Sequence, residues 1–145
     1  MGTYLNPGNS GFEEALRSEY IDKTGMIELI NNTINTTRKL TCISRPRRFG
    51  KSYAARMLCA YYDRTCDSHE LFDGLCISGS SGYEEHINKY NVIYLDVASF
   101  LSELKRQQHS IKDVANDIAQ TIRKELILDK PELSDVTRVS ECLKK

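Results

Sequence analysis

Hydrophobic positions along the chain follow two different spacings, and their order predicts alternating strands and helices. Residues 39–44 and 91–98 are short, largely apolar runs, and the second is rich in β-branched side chains, which is typical of buried parallel strands. Residues 51–65 instead place their apolar side chains on one broad helical face. The order strand, loop, helix, strand, helix predicts an α/β fold with a parallel sheet and flanking helices.

Further helices are predicted on both sides of this core. A short helix is expected over residues 12–17, and a second one over residues 26–34 with Thr24 as its N-cap. Ser110 and Asp113 resemble a capping box ahead of a long amphipathic helix. Its apolar stripe consists of Ile111, Val114, Ala115, Ile118, Ala119, Ile122 and Leu126.

The length and composition of the chain indicate one globular domain. The 145 residues suit a single core, and we expect a flexible tail at residues 1–10 followed by a domain over residues 11–145. Hydrophobic residues make up 40% and charged residues 28% of the chain. Because 20 basic residues balance 20 acidic ones, there is no overall attraction to nucleic acid or to an anionic membrane. Any anion site must therefore be local.

The same inventory predicts a cytoplasmic protein without a membrane segment. No apolar run approaches the roughly 20 residues that a spanning helix needs, and residues 1–10 lack the apolar centre of a secretory signal. The five cysteines are odd in number and show no CxxC spacing, which favours reduced thiols over a disulfide framework or a zinc site.

The strongest chemical signal is a basic loop at residues 44–52, with the sequence SRPRRFGKS. Gly50, Lys51 and Ser52 match the last three defined positions of the phosphate-binding pattern GxxxxGK[ST], whereas Arg45 stands where that pattern has its first glycine. The loop lies between a predicted strand and a predicted helix, as in phosphate loops. The alternative is a chance match in a solvated basic turn.

The residue types in this loop suit a nucleoside triphosphate. The first backbone N–H groups of a helix have no intrahelical partner, and the helix dipole adds positive potential there. Lys51 can reach the β- and γ-phosphates, and the Ser52 hydroxyl can bind Mg²⁺. ATP and Mg²⁺ are therefore the predicted cofactors. The predicted nucleotide-binding residues are Arg45, Pro46, Arg47, Arg48, Phe49, Gly50, Lys51, Ser52 and Tyr53.

A second metal ligand is predicted from the end of the second apolar run. Asp96 follows Leu95 after a stretch of apolar residues, and a carboxylate at the end of a neighbouring strand commonly holds Mg²⁺ in phosphate-loop enzymes. The alternative is that Asp96 caps a turn where the strand ends. Asp22 and Lys23 likewise read either as functional residues or as a solvated turn pair.

Four segments together resemble the bacterial and archaeal AAA-ATPase-like proteins. The resemblance covers most of the chain from about Gly11 onward. It implies a P-loop ATPase of the AAA/STAND type, in which arginine at the position of Arg45 is normal. It also implies that the YIDKT motif lines the adenine side of the site. The segments are YIDKT at residues 20–24, SRPRRFGKS at 44–52, LFDGL at 71–75 and VIYLD at 92–96.

The resemblance also implies an incomplete domain. The family's Walker B strand, which ends in Asp-Glu, lies downstream of the strand that carries Asp96, and residues 105–145 contain no such run. The catalytic glutamate, the sensor, the arginine finger and the nuclease domain that often follows are then missing. We therefore expect a fragment that binds nucleotide and hydrolyses it poorly, with Asp96 as a weaker candidate for the metal.

Two other functions stay open at this stage. The chain could be an interaction module whose unfinished sheet pairs with a partner chain or with a second copy. Alternatively, Arg45, Arg47 and Arg48 could bind the phosphates of a nucleic acid. Nucleotide binding as the N-terminal part of an AAA-like ATPase is the leading prediction.

Overall fold

The computed structural model describes residues 3–44, 46, 48–106 and 114–143. These residues fold into helices joined by loops and turns. Two 3-10 turns, Cys76–Gly79 and Pro131–Leu133, accompany the α-helices. The α-helices are α1 (Ser10–Leu16), α2 (Gly25–Asn31), α3 (Lys51–Tyr62), α4 (His69–Phe72), α5 (Tyr83–His86), α6 (Val97–Arg106), α7 (Val114–Asp129) and α8 (Val139–Cys142).

The prediction of an α/β fold with a P-loop NTPase-like parallel sheet is wrong. Within the described ranges there is no β-strand, and β-pairing is limited to two isolated bridges: Leu5 with Ile93, antiparallel, and Asp63 with Tyr90, parallel. The unfinished sheet that the interaction-module hypothesis invoked is likewise not found in the described residues, and association with a partner chain or a second copy stays a prediction.

Each predicted strand fails for its own reason. Residues 39–44 are exposed, with Leu40 91% exposed, and an extended run without a neighbouring strand forms no ladder. In the second run, Ile93 makes its single bridge to Leu5 and the helix α6 begins at Val97. The Asp96 carboxylate accepts a hydrogen bond from the Ser99 N–H at 3.0 Å. This local bond favours a helix start over a continued strand.

The helix predictions fare better. The predicted helices at residues 12–17 and 26–34 are confirmed in α1 and α2, and the helix predicted from residue 51 is confirmed in α3. The long amphipathic helix is confirmed in α7, with Leu126 buried, whereas its proposed capping box at residues 110–113 lies outside the described residues. None of the helices in the described ranges is long and apolar enough to cross a bilayer.

The chain forms two compact units, and the first comprises Asn6–Val92. In this unit α1 packs on α3, and the rings of Phe12 and Phe72 stack with centroids 4.9 Å apart. The Tyr61 hydroxyl, inside the core, donates a hydrogen bond to the Tyr83 carbonyl oxygen at 3.0 Å. The buried cluster consists of Phe12, Ala15, Ile27, Met57, Ala60, Tyr61, Phe72, Ile77, Tyr83 and Ile87.

The two ends of α3 lie in different surroundings. Its first three residues, Lys51 to Tyr53, are exposed, whereas Met57 and Tyr61 have no exposed surface. The spacing of four residues between Met57 and Tyr61 places both on the face that meets the core. The helix is thus anchored by its C-terminal half, and its N-terminal turn faces solvent.

Asp63 ends α3 as a fully buried carboxylate. Its Oδ2 accepts a hydrogen bond from the Gly8 N–H at 2.6 Å. Its Oδ1 accepts bonds from the Thr65 N–H at 2.8 Å and from the Thr65 hydroxyl at 2.7 Å. These three bonds satisfy the buried charge and connect the segment around Gly8 to the end of α3.

The second unit comprises Gly2–Leu5 and Ile93–Lys145. The Glu125 carboxylate on α7 accepts backbone hydrogen bonds from Thr3, Tyr4 and Leu5, at 3.0, 2.8 and 2.7 Å. A small apolar cluster lies beside this contact and joins α7 to α8. It consists of Leu5, Leu126, Leu133, Val136 and Cys142.

Candidate functional site

The candidate site is the exposed N-terminal turn of α3 with the loop before it. Gly50 precedes the helix with φ +75° and ψ +25°, in the left-handed region that glycine adopts without strain. The Ala54 N–H donates to the Gly50 carbonyl oxygen at 2.9 Å, which is the first bond of the helix. The N–H groups of Lys51, Ser52 and Tyr53 come before that bond and are directed out of the helix end.

The side chains at this helix end are accessible. Phe49 is 60% and Tyr53 47% exposed, and Lys51 and Ser52 are exposed as well. Gly50 has no side chain with which to cap the helix. The Lys51 ammonium donates a hydrogen bond to the carbonyl oxygen of Pro46 at 2.9 Å. Lys51 therefore bonds the backbone of the loop before α3 and places a positive charge at the start of the helix.

A second ammonium contacts the same loop from the segment before α2. The Nζ of Lys23 donates a hydrogen bond to the Phe49 carbonyl oxygen at 3.1 Å. The resemblance assigned the YIDKT motif to the adenine side, and the pattern alone left Lys23 as an open alternative. In the structure Lys23 contacts the backbone of the residue before Gly50. A local pattern could not reveal this contact, because 26 residues separate the two partners.

The neighbours of Lys23 bind a different part of the first unit. The Asp22 carboxylate accepts hydrogen bonds from the Thr24 N–H at 2.8 Å and the Cys76 N–H at 2.8 Å. The fully buried Thr24 hydroxyl accepts a bond from the Ile77 N–H at 3.1 Å and donates to Asp22 at 2.7 Å. Thr24 holds the predicted N-cap position of α2, but its side chain does not cap that helix.

These bonds also set the ionisation of Asp22. Partial burial raises the pKa of this carboxyl, but the hydrogen bonds from Cys76 and Thr24 outweigh burial and hold the pKa below its usual value. Asp22 is therefore ionised near neutral pH, and its negative charge strengthens each N–H bond that it accepts.

The remaining predicted loop residues divide into two groups. Pro46 and Arg48 are exposed, and Arg48 has φ +67°, an unusual conformation for a residue with a side chain. Two residues with positive φ, Arg48 and Gly50, thus lie on either side of Phe49 in the turn that precedes α3. Arg45 and Arg47 lie outside the described residues.

Asp96 belongs to the second unit. Its hydrogen bonds from Ser99 lower the pKa of this exposed carboxyl, and its Oδ1 bonds the backbone at the start of α6. Asp96 thus has the turn-capping role that was the alternative prediction for this residue. The proposed role of Asp96 as a ligand for Mg²⁺ stays a prediction.

The groups at the start of α3 are mainly hydrogen-bond donors, and they therefore suit a polyphosphate better than a metal ion alone. Backbone N–H groups and the Lys51 ammonium are donors only, and they suit phosphate oxygens. Ser52 adds one exposed hydroxyl oxygen. Across the described residues no group of three or more His, Cys, Asp or Glu side chains could hold a metal ion. Mg²⁺ would therefore need phosphate and water oxygens in addition to Ser52.

A separate polar groove of about 360 Å³ lies in the first unit beside α2 and α5. Its lining includes Glu28 and Glu85 together with Asn31, Ser80 and His86. The two carboxylates in its lining disfavour a polyanion. The groove is therefore a poor place for a nucleotide phosphate tail, in contrast to the end of α3.

Comparison with known families identifies the class of protein. Residues 8–144 match the model of the AAA-ATPase-like family, which is described as predicted AAA-ATPases. The chain belongs to this family, and the resemblance found in its sequence is confirmed at that level. Membership is consistent with the use of a nucleotide. Searches of curated proteins and of solved structures found no match.

Proposed function

We propose that residues 44–52 and the first turn of α3 bind the polyphosphate of a purine nucleoside triphosphate, with ATP and Mg²⁺ as the ligand. The proposal depends on one observation. Lys51 and Ser52 are exposed in the first turn of a helix that directly follows a left-handed glycine, in a chain that belongs to the predicted AAA-ATPases.

In the proposed complex, the Lys51 ammonium changes its acceptor from a backbone carbonyl oxygen to phosphate oxygens. The ammonium that now donates to the Pro46 carbonyl oxygen would donate to the β- and γ-phosphates instead. Both the helix dipole and the N–H groups of Lys51 to Tyr53 act in the same direction, because each favours negative charge at the N-terminus. The Ser52 hydroxyl would contribute one oxygen to Mg²⁺, and phosphate and water oxygens would complete the shell.

The proposed activity is binding. Arg48, exposed beside the turn, would raise the local positive potential and so favour the triphosphate over the monophosphate. ATP should therefore bind more tightly than ADP, and ADP more tightly than AMP.

The test is calorimetric titration of the 145-residue chain with Mg-ATP. Lys51→Ala should weaken binding by about tenfold or more, because it removes a charge-assisted bond worth roughly 1.5 kcal/mol or more. Lys89→Ala is the matched control. Lys89 is also exposed in the first unit, but its neighbour Tyr90 bonds Tyr62 at the opposite end of α3.

The outcomes separate clearly. Loss of affinity in Lys51→Ala with an unchanged Lys89→Ala supports the site. Equal affinities in all three proteins, or no binding by the unaltered chain, contradict it. A Ser52→Ala variant should bind ATP with less dependence on Mg²⁺, which titrations with and without a chelator would measure.

A further inference from the structure

The Lys23 ammonium lies beside Phe49 and Gly50, the two residues that directly precede α3. Its Nζ donates to the carbonyl oxygen of Phe49 at 3.1 Å. The same atom lies 3.0 Å from the position that a Cβ would take on Gly50. One ammonium therefore lies against the side of Gly50 that carries no side chain, and it donates a hydrogen bond to the carbonyl oxygen of the peptide group that joins Phe49 to Gly50.

Lys23 is held in this place by its two neighbours. Asp22 accepts the Cys76 N–H at 2.8 Å, and Thr24 accepts the Ile77 N–H at 3.1 Å. Thr24 is fully buried whereas Lys23 is exposed. The segment is thus fastened on one side to the 3-10 turn Cys76–Gly79, and it presents Lys23 on the other side to the loop.

The orientation of the Phe49 carbonyl matters for an anion. A carbonyl oxygen that faced a phosphate would repel it, and the peptide N–H groups that follow would be turned away. An ammonium bound to that oxygen neutralises its partial charge and fixes the plane of the peptide. Where Lys23 bonds the Phe49 carbonyl oxygen, the next residue, Gly50, has the left-handed conformation with φ +75°.

We propose that Lys23 is a positioning residue of the phosphate loop. Its ammonium holds the Phe49–Gly50 peptide so that the N–H groups of Lys51 and Ser52 remain directed toward a polyphosphate. This inference rests on the proposed function for its ligand. It assigns to the YIDKT motif a role at the phosphate end of the site, through the backbone of the loop.

A spectroscopic test can observe this one peptide alone. Phe49–Gly50 is the only place in the sequence where phenylalanine directly precedes glycine. Labelling phenylalanine with ¹³C at the carbonyl and glycine with ¹⁵N therefore yields a single cross-peak in an HNCO spectrum. The carbonyl shift of that peak reports the hydrogen bond that the Phe49 oxygen accepts.

Three variants define the expected result. Lys23→Met keeps the length of the side chain and removes the donor, so the peak should move to lower carbonyl shift. Lys23→Arg keeps a positive donor and should return the peak toward its original position. Lys89→Met removes an exposed ammonium elsewhere in the first unit and should leave the peak unchanged. An unmoved peak in Lys23→Met overturns the inference.

Titration of the same proteins with Mg-ATP is the second arm. Lys23→Met should weaken binding by about fivefold and Lys23→Arg should recover most of it, as expected for one exposed charge-assisted bond. A moved peak with unchanged affinity overturns the positioning role. If the unaltered chain binds no nucleotide, the proposed function fails, while the HNCO shift still decides whether Lys23 holds the turn.

Discussion

The Nζ atom of Lys23 lies 3.0 Å from the point where a Cβ atom would stand on Gly50. Gly50 also has φ +75°, a conformation that L-residues with side chains rarely adopt. The backbone of Gly50 therefore constrains this position first, and the exposed end of a lysine 27 positions earlier in the sequence adds a smaller effect.

Gly50→Ala should lower the free energy of unfolding by about 1–2 kcal/mol, because it adds a left-handed strain and forces the Lys23 ammonium to move. Two glycines separate these effects. Gly74 has φ +72° with nothing near its Cβ position, and Gly79 has neither feature. Urea unfolding of the three alanine variants should rank Gly50 as most affected, then Gly74, then Gly79. Equal losses at Gly50 and Gly79 would contradict this reading.

The helices were predictable because their pattern is local. Met57 and Tyr61 are spaced four residues apart and are both buried, so the sequence itself marks the inner face of α3. The strands were not predictable in the same way. An apolar run becomes a strand only if another segment pairs with it, and residues 39–44 remain exposed.

Parts of the candidate site at the start of α3 could also be predicted from the sequence. Gly50, Lys51 and Ser52 stand where the pattern placed them, at the start of a helix. The contact of Lys23 was not readable, because it depends on Asp22 reaching Cys76 across 54 residues. Asp96 was misread as the end of a strand, although its bond to Ser99 is a local signal for a helix start.

Thr24→Val should destabilise the first unit by about 1–3 kcal/mol. The change keeps the shape of a fully buried side chain but leaves the Ile77 N–H, now bonded at 3.1 Å, without its acceptor. Thr37→Val is the control, since Thr37 is exposed. Chemical denaturation of both variants measures the difference, and equal stabilities would count against the Thr24 contact.

Asp63→Asn should cost about 3 kcal/mol of unfolding free energy. The fully buried carboxylate accepts bonds from Gly8 and Thr65, and the amide of asparagine would direct a donor at one of these donors. Asp73→Asn makes the same chemical change at an exposed position and should alter stability by no more than about 0.5 kcal/mol. Thermal or urea unfolding distinguishes them, and a small effect in both would refute the expectation.

His69 should make stability depend on pH. Its Nδ1 lies 2.6 Å from an Asp67 carboxylate oxygen and its Nε2 lies 3.5 Å from Glu84. The hydrogen bond with Asp67, above all, raises the pKa of His69. A pKa that is higher in the folded state adds stability below the pKa of the unfolded state, and this stability is lost as pH rises through the folded value.

The measurement is the unfolding midpoint across the neutral range, together with an NMR titration of the His69 ring. His69→Gln should remove this part of the pH dependence, and Glu70→Gln, which alters an adjacent exposed carboxylate, should retain it. A ring that titrates at or below the ordinary histidine pKa would contradict the assignment.

The unequal surroundings of α3 have a kinetic consequence. Amide protons near Met57 and Tyr61 can exchange with solvent only when the first unit opens as a whole, whereas those of the first turn can exchange through fraying of the helix end. A ligand seated on that turn must leave before the helix end frays and before the unit opens, so it would slow exchange by the same factor at both ends of α3. A ligand bound elsewhere on the first unit would instead slow exchange in the buried half and leave fraying of the first turn unchanged, so the two ends of one helix together report where the ligand sits.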